Sequence, residues 1–129
     1  MHIRRNDFGF PGEPHGPPEI LMRHDLNHVL TGYWTSATEE MKVGAFQAGF
    51  THQDPFAMMV FVLCQFHVGV RITPVSGAET GHFEPEPFIS AFARGMAARV
   101  PTFDTDWDPF SIMERPLEEV REEFGVSPA

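Results

Sequence analysis

Three helix-start signals divide the first half of this chain and leave little room for a sheet. Pro17 and Pro18 precede Glu19, and the apolar run Ile20, Leu21, Met22, Leu26, Val29 and Leu30 follows at helical spacing. Proline suits a first helical turn because its missing N–H has no partner there, and an acid in that turn complements the helix dipole. Gly32 supplies the stop. Ser36 with Glu39 three residues on reads as a capping box, opening a second helix that runs to about Gly49 or Phe50. Asp54-Pro55 opens a third, "FAMMVFVLCQFHVGV", apolar on all sides, which predicts the central helix of a bundle.

Later signals are of the same kind. Residues 71–87 hold several Gly and Pro and read as a loop. Phe88 to Arg99 carries Phe88, Ile89, Phe92 and Met96 at helical spacing. Two short helical pieces follow, Pro109 to Glu114 and Pro116 to Phe124, with Gly125 as the stop. The expected fold is all-α, a single compact domain of five to six helices over residues 17–129, preceded by a Pro/Gly-rich arm over 1–16. At 129 residues the chain can bury one core.

Composition narrows the function classes. The net charge is −9, and Lys42 is the only lysine. Nucleic acid is excluded as a partner, because phosphate binding needs clustered Lys and Arg. One cysteine, Cys64, cannot form an internal disulfide, which fits a reducing, cytoplasmic setting. The N-terminus has arginines with no apolar run after them, so neither a signal peptide nor a spanning helix is expected there. Pro55 to Val70, interrupted by Gln65 and His67, falls short of the about 20 apolar residues that cross a bilayer.

The chemistry concentrates in "HDLNHVLTGYWTSATEE", His24 to Glu40. His24 and His28 are four apart and stack on one helix face, with Asp25 on its flank. Glu40 lies twelve residues beyond His28, about 18 Å away along one straight helix. A turn at Gly32 to Thr35 brings the second helix back against the first. Glu39, at the third helical position, then caps Ser36, while Glu40 is free to face the histidines. A His/Asp/His/Glu set without thiolate suits Zn²⁺, Fe²⁺ or Mn²⁺. The bland alternative is a solvated face in which Asp25 pairs with a protonated His28. The narrowness of the polar face on an otherwise apolar helix favours the metal.

At these residues the chain resembles a family of ubiquinone (coenzyme Q) biosynthesis proteins, the fourth-named member of that pathway. HDLNH, eleven residues, then Glu40 matches the family's HDxxH-x11-E motif. "HVLTGY" and the ending "DWDPFSIMERPLEEVREEFGV" are also similar, so the likeness runs from about Pro17 to Val126. The resemblance implies an all-helical fold and a divalent metal, usually zinc, on His24, Asp25, His28 and Glu40. It implies oxidative decarboxylation at C1 of a prenylated hydroxybenzoate-type quinone precursor. The alternative it implies is a scaffold that holds prenyl lipid and organises other quinone-biosynthesis proteins, peripherally on a membrane. Glu39 stands where the family usually has glycine, and family members commonly have helices before the motif.

Further residues carry two readings each. Asn27 and Tyr33 flank the motif and could orient ligands or substrate, or be helix surface and core. His67 is either a satisfied core histidine or an outer partner of the metal. Phe46, Phe50, Met58, Met59, Phe61, Phe66, Phe88 and Phe92 are each expected in the core. Collectively, such adaptable side chains suit a pocket for a prenyl tail. His52 and His82 read as solvated loop residues and Cys64 as a small core residue. A homodimer and a metal-free helical interaction domain both remain compatible with the sequence.

Overall fold

The computed structural model describes residues 19–127 apart from 51–54, 72–77 and 105. The arm expected over 1–16, the Pro17-Pro18 start, His52 and the Asp54 cap lie outside the described residues. The fold is all-α. Its elements are α1 (Glu19–Thr31), α2 (Ala37–Phe50), α3 (Pro55–Phe66), α4 (Pro85–Ala97), a 3-10 turn (Pro109–Ile112) and α5 (Leu117–Phe124). Gly32 closes α1 and Gly125 closes α5, both with positive φ, where a side chain would be strained. Asp108 caps the 3-10 turn, its carboxylate accepting from Phe110 N–H at 2.9 Å.

The centre of the fold is α2 rather than α3. Nine residues of α2 are buried, and it packs against α4, α3 and α1. Its Phe46 and Phe50 join Leu26, Leu30, Ile112, Val120 and Phe124 in one core cluster. Its Met41 and Ala45 join Val62, Phe66, Phe88 and Ala91 in the other. Helix α3, the most apolar stretch in sequence, buries only Val62, Gln65 and Phe66 and leaves Phe56 73% and Phe61 45% exposed. The reason is packing space. The α2–α4 crossing is so close that a Cβ at Gly95 would overlap the Phe46 carbonyl, and one at Gly49 the Phe92 carbonyl. Two glycines in the last turns of α2 and α4 therefore choose the central pair, and α3 takes the flank.

Helix ends are completed by distant parts of the chain. Orphan carbonyls at the end of α3 accept from the 79–82 segment: Glu79 N–H to Gln65 O at 2.7 Å and His82 N–H to Phe66 O at 3.2 Å. An isolated antiparallel bridge, Val68 to Thr80, lies beside them. At the end of α1, Arg121 donates to Leu30 O at 2.8 Å and Val29 O at 3.3 Å, and Arg94 to Thr31 O at 2.9 Å. Both cations complement the negative end of the helix dipole. These bonds hold rigid the helix that carries the two motif histidines.

Candidate metal centre

The i, i+4 spacing on α1 places the rings of His24 and His28 edge to face, with centroids 4.7 Å apart. Glu40 stands in the first turn of α2, where helix geometry and the Gly32 reversal point it back at α1. Glu39, its neighbour, turns elsewhere. Its carboxylate pairs with Lys42 and accepts from Trp34 N–H at 3.4 Å, two residues upstream of the Ser36 expected from the capping box. The two adjacent acids thus have separate environments, one at the surface turn and one inside.

Three ligand-type atoms meet. His24 Nε2 lies 3.1 Å from Glu40 Oε2, His28 Nε2 lies 3.3 Å from the same oxygen, and the two Nε2 atoms are 3.0 Å apart. His24 and Glu40 are buried and His28 nearly so. A triangle with edges of 3.0, 3.1 and 3.3 Å has a circumradius of about 1.8 Å. Three donor atoms this close could all reach one divalent cation at ordinary ligand distances of about 2.0–2.2 Å. Nitrogen, nitrogen and carboxylate oxygen at these separations fit a divalent cation such as zinc, and equally the two-histidine, one-carboxylate set of non-haem iron.

The outer nitrogens are held as well. His28 Nδ1 lies 3.1 Å from the Tyr33 carbonyl, which can only accept, so Nδ1 carries a proton and Nε2 faces the triangle. His24 Nδ1 lies against the Gln47 carboxamide, with Nε2 at 3.1 Å and Oε1 at 3.4 Å. Tyr33 therefore orients a motif histidine through its backbone, while its ring packs under Arg94 and Lys42. Gln47 is the residue that sequence inspection passed over. Its signal was present: it falls seven residues after Glu40, two turns on along the same face of α2.

Electrostatics follow from this packing. Burial works to raise the Glu40 carboxyl, but hydrogen bonds from His24 and His28 and their charge overcome it and hold it at about 2 against an ordinary 4.5. Burial works to lower His28, but its hydrogen bond to Glu40, the Glu40 charge and the Tyr33 carbonyl leave it above its ordinary 6.5. Asp25 is exposed and is not one of the three clustered ligands. Its carboxyl is raised, because desolvation outweighs the attraction of His24 and His28 and Glu40 adds repulsion.

Other residues singled out from sequence lie elsewhere. Asn27 is fully buried and faces the C-terminal segment, its Nδ2 at 3.5 Å from Thr102 Oγ1. His67 is exposed and engages Phe83, accepting from its N–H at 3.4 Å. Phe46, Phe50, Phe66 and Phe88 are buried core, Met58, Met59 and Phe92 half-buried, and Phe61 exposed. That set is divided between the two cores and the surface of α3. No protein-family model, curated protein or solved structure matches the chain. No described helix is long and apolar enough to cross a membrane.

Proposed function

We propose that this protein is a metal-dependent enzyme in which His24, His28 and Glu40 hold one divalent cation. The observation that carries the proposal is the single triangle formed by their three ligand atoms. The substrate class follows from the motif resemblance: a prenylated hydroxybenzoate-type quinone precursor, decarboxylated oxidatively at C1. In that conversion the bond from ring carbon to carboxyl breaks and CO₂ leaves, water supplies the oxygen of the new C–OH bond, and the two electrons and two protons released reduce dioxygen to hydrogen peroxide. A bound cation would supply positive charge to polarise a phenol or carboxylate oxygen, and iron would add redox capacity. The chain's own part is to bind and orient. Glu40 would offset part of the cation's charge, and Tyr33 and Gln47 hold the imidazoles. Asp25, the motif's remaining acid, is exposed and lies outside the cluster.

The test is elemental analysis of protein purified without chelator, then loading with Zn²⁺, Fe²⁺ or Mn²⁺ and assay of CO₂ release from a prenylated hydroxybenzoate under dioxygen. The expected result is about one cation per chain and metal-dependent CO₂. Absence of turnover with every cation rules the enzyme out. One observation favours the scaffold alternative, the uncharged outer face of α3 with Phe56 and Phe61 exposed. For a scaffold, lipid co-purifies, and Glu40→Ala disturbs partner association with no CO₂ release to lose.

A further inference from the structure

We propose that Gln47 is a positioning residue for the centre, selecting which nitrogen of His24 offers its lone pair to the triangle. The inference rests on the metal reading above. It starts from an asymmetry between the two histidines. The outer nitrogen of His28 meets a backbone carbonyl, which accepts and never donates, so the ring has one useful tautomer. The outer nitrogen of His24 meets a carboxamide, which does both.

Both ends of that carboxamide are within reach, Nε2 at 3.1 Å and Oε1 at 3.4 Å. With the amide nitrogen facing the ring, His24 Nδ1 accepts, and the ring proton sits on Nε2, donating to Glu40. With the amide oxygen facing the ring, Nδ1 carries the proton, and the Nε2 lone pair points into the triangle. Only the second arrangement ligates a cation. Rotation of one buried amide thus accompanies conversion of His24 from hydrogen-bond donor to ligand. Gln47 is itself 5% exposed, so water does not readily take its place.

Two substitutions separate this role from a structural one. Gln47→Glu, when ionised, can only accept, which favours the ligating tautomer. Gln47→Met keeps the length and offers no comparable acceptor. Zinc affinity measured by chelator competition is expected to rise in Gln47→Glu and to fall roughly tenfold in Gln47→Met, a loss typical of removing an outer partner of a ligating histidine. Equal loss in both variants, or no change in either, overturns the assignment. Nitrogen-15 shifts of the His24 ring provide a readout that needs no metal. In metal-free protein Gln47→Glu should place a proton on Nδ1, and identical Nδ1 shifts in the two proteins overturn the proposal. If the native chain binds no zinc, the metal reading fails, and these shifts still decide the role of Gln47.

Discussion

Nε2 of His24 and Nε2 of His28 lie 3.0 Å apart, and Glu40 Oε2 closes a triangle with both. Two ring nitrogens from one helix and a carboxylate from the next share a space the size of a single ion. Removal of any corner should therefore act on the same quantity. His24→Ala, His28→Ala and Glu40→Gln are each expected to weaken zinc binding by more than the about 10–100-fold typical of outer partners. Asp25→Asn, at an exposed position outside the cluster, should cost less. Isothermal titration of the four variants checks the ranking. Asp25→Asn weakening zinc as much as Glu40→Gln would restore it as a full ligand.

The metal-free protein should have a stability profile with two flanks. Glu40 is depressed to about 2, so its contribution is present above its ordinary 4.5 and is lost as pH falls through about 2. Its size is on the order of 3 kcal/mol. His28 is raised, so its contribution is present below 6.5 and is lost as pH rises through its folded value. The difference in urea midpoint between native and Glu40→Gln proteins, followed against pH in chelator, is expected to be largest between 4.5 and 6.5. A difference independent of pH would show that the three groups do not interact.

The α2–α4 crossing should tolerate no side chain at its closest point. Gly95→Ala would push Cβ into the backbone of Phe46, which cannot move without shifting a helix. Gly44→Ala would meet the Val62 side chain of α3 first, and no backbone atom is among its three nearest neighbours. Chemical denaturation is expected to show a loss of about 3 kcal/mol for Gly95→Ala and a smaller loss for Gly44→Ala, offset in part by the better helix propensity of alanine.

Arg121 should matter to the histidine helix although it lies outside the centre. Arg121→Met removes donors to Leu30 O and Val29 O at the end of α1. A loss of about 1–2 kcal/mol is expected, with faster amide exchange near His28. Exchange confined to α5 would place the effect elsewhere.

Phe56 and Phe46 should respond oppositely to truncation. Phe46 is fully buried between the helices, and Phe46→Ala should cost about 3–5 kcal/mol. Phe56 is 73% exposed, and Phe56→Ser should change stability by less than about 0.5 kcal/mol. Thermal unfolding of both variants gives the comparison.

Much of this protein is decided locally and could be read from the chain. Gly32 and Gly125 end helices because each occupies a positive φ that disfavours side chains. The His24–His28 pairing needs only the helical repeat, and Glu40's return needs only a reversal between two helices. Tertiary structure decided the rest, because it depends on how closely helices approach. Apolar character alone pointed to α3 as the centre, yet close contact at Gly49 and Gly95 put α2 there. The same placement turned Glu40 and Gln47 inward toward α1, sent Glu39 to Lys42, and left Asp25 exposed outside the triangle. Spacing along a helix states which side chains share a face. Which face meets a neighbour is settled by where two backbones can touch.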